Sequence, residues 1–266
     1  MLDLENSRIL EEIESLSSRK RWQEIREMLL LFEPADTADI LAELPEDRLP
    51  VVYRLLPKEL AAEVFVEMEP EEQELLIQTF SDTELKEVLD ELYVDDTVDL
   101  IEEMPASVVK RILRHADPET RRSVNEILKY PEDSAGSIMT TEFVDLKRDM
   151  TVSDALKRIR RTGVDKETIN ICYVTDPSRR LLGLVSIRTL LLADQEDAIE
   201  EIMETNVVSA TTMDDKEDVA QDLSKYDFLA MPIVDKEHRL VGIVTIDDAI
   251  DVMEEEATED FELMAA

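Results

Sequence analysis

Asp95 and Asp99 stand four residues apart at the start of a segment, Val94-Asp95-Asp96-Thr97, that reads as a helix N-terminus. That spacing sets both carboxylates on one helical face, an arrangement suited to a hard, oxygen-seeking cation. The same pair also reads as acid placed where a helix dipole favours negative charge. Asp36-Thr37-Ala38-Asp39 has a similar pattern, and the residues alone leave both readings open. A second group begins at Asp247: Asp248, Asp251 and Glu255 share one side of a helix, and Glu256, Glu259 and Asp260 form the next cluster. On an isolated surface helix such a run would serve only solubility. Catalytic groups are scarce. His115 and His238 are 123 positions apart without an arranged partner, and four glycines build no phosphate-cradling loop. With no serine or cysteine nucleophile signature either, the chain reads as a non-enzyme.

The formal charge of −36, from 65 acidic and 29 basic residues, would repel nucleic acid and anionic lipid, so cations are the expected partners. The acid is concentrated. Residues 51–100 carry 15 acids and 3 bases, residues 201–266 carry 19 and 4, whereas residues 151–200 carry 8 of each. With 266 residues, 44% hydrophobic and 35% charged, the chain is long enough for two domains with their own cores. Cys172, the sole cysteine, sits between Ile171 and Tyr173 in an apolar run, so a core thiol and a reducing compartment are expected. The longest apolar runs, such as Met28–Phe32, fall far short of the roughly 20 residues that a spanning helix needs. The N-terminus lacks the layout of a signal peptide, which makes the cytoplasm the expected location.

The first half repeats with a period of 24 residues. Ile40, Val64, Val88 and Ile112 fall in line, as do Leu41, Phe65, Leu89 and Leu113, and Leu44, Met68, Leu92 and Ala116. Val52, Leu76, Leu100 and Val124 follow in the second half of each unit, with Leu56, Phe80, Met104 and Leu128. Apolar residues spaced by three and four, with prolines at 45, 57, 70, 105 and 118, predict two short helices per unit. Stacked, they would form a superhelix over roughly residues 20–130. The segment around Trp22 is expected to cap the stack through Leu29, Leu30 and Phe32.

After Pro131, Ser134 and Gly136 short strands alternate with helices, which places a boundary near residue 135. Ile138-Met139-Thr140 and Val144 match Ile202-Met203-Glu204 and Val208 at a shift of 64, and Thr151–Asp154 matches Asp215–Asp218. Tyr173-Val174-Thr175-Asp176 then matches Pro232-Ile233-Val234-Asp235 at a shift of 59, and Leu182–Ser186 matches Val241–Thr245. A strand ending in aspartate, a short turn, then glycine, two apolar residues and Ser/Thr before a helix resembles the CBS motif. Two tandem copies imply a pair of β-α-β-β-α units.

An acidic helical repeat, a CBS pair and then Asp251-Val252-Met253-Glu254-Glu255-Glu256-Ala257-Thr258-Glu259-Asp260 together resemble the cytosolic half of MgtE-type magnesium transporters. The resemblance implies a multidomain α and α/β chain: an all-α superhelical repeat, or α-solenoid, followed by a tandem CBS pair, the Bateman module. Residues 1–132 would be the repeat domain, 136–200 and 201–250 the CBS copies, and 251–266 the start of a connecting helix toward a transmembrane pore. It implies Mg²⁺ ligands at Asp95, Asp99 and Glu63, and at Glu217, Asp227, Asp247, Asp248, Asp251, Glu255, Glu256, Glu259 and Asp260. It also implies a homodimer through the CBS copies, a place on the cytoplasmic face of the membrane, and closure driven by Mg²⁺. ATP is a further candidate ligand of the CBS cleft: Thr245 and Asp247 resemble ribose-holding residues, Arg188 could meet a phosphate and Phe228 the base. The alternative reading is an adenine-nucleotide sensor whose helical repeat binds a protein.

Overall fold

The computed structural model describes the backbone of residues 2–265 and the side chains of residues 8–254, 256–258 and 261. By packing, the chain divides into two units, residues 1–92 with 96–121 and residues 93–95 with 122–266.

The first unit begins with α1 (Leu2–Ser18) and α2 (Trp22–Leu29) and continues in the predicted pairs. The first members of each pair are α3 (Pro34–Ala42), α5 (Lys58–Val66), α7 (Asp82–Leu89) and α9 (Ala106–His115), which start 24 residues apart. The second members are α4 (Leu49–Tyr53), α6 (Pro70–Thr79), α8 (Val94–Glu103) and α10 (Pro118–Ile127), of which the first two residues of α8 and the part of α10 after residue 121 count with the second unit. Proline marks many of these starts, and a Ser81–Glu84 capping box begins α7. Pro34 and Pro70 occupy the first helical turn, where the missing N–H costs nothing, and Pro57 and Pro105 hold the extended residue just before.

Helix α3 packs on α5, α5 on α7 and α7 on α9, so each repeat covers the apolar face of the one before. Ile40, Val64, Val88 and Ile112 are all buried, as are Val52, Leu76, Leu100 and Val124. Polar links reinforce the layers: Arg54 meets Glu84 at 2.6 Å, and Arg111 donates to the Phe80 carbonyl at 2.6 Å. The predicted stripe fades in the last copy, where Leu113 is half-buried and Leu128 exposed, since no further repeat follows to cover them. Leu30 departs from expectation as well. It lies beyond the end of α2 and is 45% exposed, and the buried face of that helix is carried by Ile25 and Leu29.

In the second unit the first copy runs β1 (Val144–Lys147), α11 (Val152–Thr162), β2 (Ile171–Thr175), β3 (Leu181–Ser186) and α12 (Ile187–Leu192). A short α13 (Ile199–Ile202) leads to the second copy: β4 (Ala210–Thr211), α14 (Lys216–Tyr226), β5 (Ala230–Val234), β6 (Leu240–Thr245) and α15 (Ile246–Ala265). Each sheet has a parallel first pair and an antiparallel second pair, and each carries a bulge at the same relative place, Val174/Thr175 and Ile233/Val234. Asp176 and Asp235, which end the strands, accept from the backbone N–H groups two and four residues on, and so fold the β2–β3 and β5–β6 turns.

The change of shift from 64 to 59 has a simple origin. Residues 163–170 join α11 to β2, whereas residues 227–229 suffice between α14 and β5, so the first copy carries five extra residues containing a 3₁₀ turn, Gly163–Asp165. The segments that precede each copy are exchanged. Thr140 pairs with Ile243 on β6 of the second copy, and Glu204 pairs with Leu184 on β3 of the first, each through two N–H···O bonds of 2.9–3.0 Å. Gly183 and Gly242 permit the approach. A Cβ on Gly183 would stand 2.5 Å from the Glu204 carbonyl oxygen, and one on Gly242 would stand 2.7 Å from that of Thr140.

Replacing either glycine by alanine is therefore expected to cost about 2 kcal/mol or more through overpacking against backbone. Leu31→Ala, at a side chain 82% exposed, should stay within about 0.5 kcal/mol of the parent. Urea unfolding compares the three, and a Gly242→Ala protein as stable as Leu31→Ala would refute the constraint.

Candidate functional site

Helix α15 springs directly from β6, so the strand fixes where its first turn points. Thr245 closes that turn: its backbone N–H donates to Asp248 Oδ2 at 3.2 Å, and its hydroxyl donates to the same oxygen. This is the return half of a capping box, with an acid three residues into the helix reaching back to the cap. Asp247 and Asp251 crowd the same carboxylate. Burial, followed by the charges of Asp247 and Asp251, pushes the Asp248 carboxyl from its ordinary 3.8 up to about 6, against the opposing bonds from Thr245. At neutral pH the turn thus holds more negative charge than its surroundings favour, and a cation placed there would relieve it.

The other acids fall into place around this turn or away from it. Asp247 and Asp251 are exposed, Glu256 is half-buried, and the side chains of Glu255, Glu259 and Asp260 lie outside the described residues. Helix α14 packs along α15. Its first turn presents Glu217, exposed and accepting from Gln221 at 2.8 Å, and Asp227 caps its far end in the left-handed conformation, φ 53°. Ten positions along the helix set these two acids about 15 Å apart, so they belong to different places. Glu63 is exposed on α5, and α8 carries Asp95, buried, one turn before Asp99, exposed. Among the described residues no three His, Cys, Asp or Glu side chains converge in a geometry that would hold a metal. Binding by one or two carboxylates with retained water, the habit of Mg²⁺, is the chemistry these positions can offer.

The nucleotide-cleft candidates are asymmetric between the copies. Thr245 is buried, with its hydroxyl committed to Asp248, so the carboxylate fixed beside it is Asp248, while Asp247 points to solvent. In the first copy Ser186 caps α12 and meets the Thr189 hydroxyl at 2.9 Å, where the second copy has that carboxylate. Arg188, exposed, stands where the second copy has Asp247. Phe228 is half-buried and stacks on Tyr226 with ring centroids 5.4 Å apart.

Comparison with known proteins adds two family matches: the MgtE intracellular N domain over residues 32–133 and the CBS domain over residues 135–196 and 199–255. The magnesium transporter MgtE of Thermus thermophilus is 41% identical over 246 residues, covering 91% of this chain and 54% of that protein. The magnesium transporter MgtE of Bacillus subtilis is 34% identical over 244 residues, covering 92% and 54%. The chain thus spans about half the length of the curated relatives it matches. Among solved structures, the cytosolic domain of the Mg²⁺ channel MgtE in complex with ATP superposes with a TM-score of 0.85 at 39% identity, covering 91% of this chain and 99% of that one. The soluble part of a magnesium transporter matches equally well, with a TM-score of 0.85 at 31% identity, covering 95% and 99%. Among the described residues no helix is long and apolar enough to cross a membrane.

The crowded carboxylate yields a prediction for the Mg²⁺-free protein. A carboxyl whose pKa is raised on folding lowers stability as pH climbs from about 4 through 6, since the unfolded chain then gives up its proton more readily. Asp248→Asn keeps an acceptor for Thr245 and removes the charge. The variant should be about 1–2 kcal/mol more stable at pH 7 and flatter across that window. Chemical unfolding at several pH values measures this, and parallel curves for the two proteins would exclude it.

Proposed function

Because the chain belongs to the MgtE family, matching its intracellular N domain and CBS pair, we propose that it is a Mg²⁺-sensing regulatory region in which bound cations favour a closed state. The observation that carries this reading is the first turn of α15, where burial, with the charges of Asp247 and Asp251 adding to it, pushes the Asp248 carboxyl up to about 6. Asp95 and Asp99 on α8, with Glu63, supply the acid of the helical repeat, and Glu217, Asp227 and Glu256 that of the second CBS copy. Mg²⁺ held between carboxylates of the repeat and of the CBS pair, and across a CBS homodimer, would stabilise the closed arrangement. The side chains of Glu255, Glu259 and Asp260 would extend the ligand set.

The energetics suit such a device. Two carboxylates about 8 Å apart repel by roughly 0.5 kcal/mol in water and about 2 kcal/mol at an effective dielectric near 20. Relieving a few such pairs approaches the roughly 5.5 kcal/mol that converts a mostly open population into a mostly closed one. No single tight site is needed, and weak sites answer to changes near cellular Mg²⁺ concentrations. In a full-length protein α15 would pass the bias to a transmembrane domain at the cytoplasmic face, so that Mg²⁺ is both cargo and signal and uptake is restrained when it is plentiful. The role is regulatory, with no catalytic step.

A second ligand is favoured by one finding: a solved relative at 39% identity is a complex with ATP. We infer that ATP occupies the cleft of Arg188, Phe228, Thr245 and Asp247, with Asp248 as the carboxylate nearest the Thr245 hydroxyl. It would then modulate the Mg²⁺ response. The absence of a matching carboxylate at Thr189 limits the pair to one nucleotide.

Small-angle scattering tests the Mg²⁺ reading. Compaction at low-millimolar Mg²⁺ should exceed that in K⁺ matched for ionic strength, and Asp95→Asn with Asp248→Asn should flatten the response. An unchanged response in the double variant would remove these ligands, and identical Mg²⁺ and K⁺ curves would remove the sensor. Calorimetry tests the nucleotide: Arg188→Gln should weaken ATP binding about tenfold, and equal affinities would displace ATP from that cleft.

A further inference from the structure

A cavity of about 410 Å³ opens beside β1 of the first CBS copy, and Arg158, Lys166, Arg179, Asp145, Thr162 and Thr175 line much of its wall. Three cations and one carboxylate meet there, in a chain whose net charge is −36. Asp145 is already committed. Burial alone would raise its pKa, but the bonds from Lys147, at 3.1 Å, and Arg158 outweigh it and hold the carboxyl below its usual range. The cavity wall therefore keeps a surplus of positive charge. Its donors are not exhausted: Arg158 gives its Nε–H to the Asp145 carbonyl at 2.7 Å and one further N–H to the carboxylate, and Arg179 gives one to the Leu240 carbonyl at 3.2 Å. Each guanidinium carries five N–H donors. Lys166 Nζ has no hydrogen-bond or ion-pair partner among the described residues.

The fold does not require these cations, as the duplicated copy demonstrates. At the shift of 64, Asp145, Lys147, Arg158 and Thr162 become Ser209, Thr211, Asp222 and Tyr226, and at the shift of 59 Thr175 and Arg179 become Val234 and His238. Lys166 lies in the five-residue insertion that the second copy lacks. An orphan polar atom adds to the case. The hydroxyl of Tyr173 is buried without a hydrogen-bond partner, and Tyr173 sits directly across from Asp145, so both stand on the same face of the sheet. Phe143, which lines the cavity, packs edge-on against its ring at 6.0 Å.

We propose that this cavity binds a small phosphate-type dianion, either free phosphate or the phosphoryl group of a small metabolite. Arginine forks match tetrahedral oxyanions, and the Thr175 hydroxyl, which accepts from Lys147 at 2.8 Å, keeps its own proton to donate. A screening length of about 8 Å at physiological salt lets the local charge prevail over the acidic surface elsewhere. The site is separate from the cleft at Arg188 and Thr245. Thr175 and Leu240 lie at the opposite ends of their strand pairs from Ser186 and Thr245, and Leu240 and Thr245 are about 16 Å apart along β6.

The test titrates the Mg²⁺-free protein with inorganic phosphate and with glucose 6-phosphate, against chloride matched for ionic strength, by calorimetry. Saturable binding of one or both is expected. Lys166→Gln should weaken it about tenfold, with a larger loss on adding Arg179→Gln, and Arg188→Gln should leave it unchanged. Far-ultraviolet dichroism checks that each variant is folded. Binding of phosphate alone assigns the site to the free ion, and tighter binding of the sugar phosphate assigns it to a metabolite. No saturable binding of either anion, an unaltered affinity in Lys166→Gln, or loss in Arg188→Gln would overturn the proposal.

Discussion

The exchange of leading segments between the CBS copies is the constraint on which the rest of the second unit depends. Thr140 joins the sheet of the second copy and Glu204 that of the first, so neither sheet is complete without the chain that introduces the other copy. Each exchange fills a sheet edge with backbone bonds that would otherwise face solvent. The two glycines that admit it are closely fitted to the neighbouring carbonyls. Between the copies, Tyr173, Leu181, Ala230, Val234, Leu240 and Ile243 form a shared core, so packing and pairing support the same arrangement. Strand β6 is held from both sides, and the acids at the start of α15 inherit its position.

On this common scaffold the copies have taken opposite electrostatic characters. Arg188 faces solvent where the equivalent residue is Asp247, Thr189 stands where the other copy has Asp248, and Arg158 answers to Asp222. Surface charge changes little in the stability of a fold whose core is intact, which leaves these positions open to different ligands. The second copy gathers carboxylates at the start of α15, and the first carries N–H donors that its own carbonyls and carboxylates do not exhaust.

Much of the architecture was legible because its signals are periodic. The 24-residue repeat is kept by the starts of α3, α5, α7 and α9, with proline at or just before three of them and a Ser81–Glu84 capping box at α7. The pattern misled at Leu30, where helix α2 had already ended and apolar spacing no longer reported a face. The connecting segment expected from residue 251 continues a helix, α15, that begins at Ile246. The duplication gave both CBS copies, but the exchange of their leading segments involves partners about a hundred residues apart or twenty apart, which no local period encodes. Of the candidate site, the grouping of Asp248, Asp251 and Glu255 followed from helical spacing, and the Glu255 side chain lies outside the described residues, whereas the Thr245 clamp on Asp248 depends on how strand β6 meets the helix, which no spacing encodes. Arg158, Lys166 and Arg179 passed unnoticed, although the balance of 8 acids and 8 bases in residues 151–200 marked their neighbourhood.

The continuity of α15 gives it a mechanical property. Twenty residues of unbroken helix extend about 30 Å, so the segment behaves as a lever whose fulcrum is the Thr245 clamp. A tilt of about 10° at that fulcrum sweeps the far end through about 5 Å. A small change of angle at its base thereby becomes a displacement about as long as a helical turn. A flexible joint at the strand end would have dissipated it.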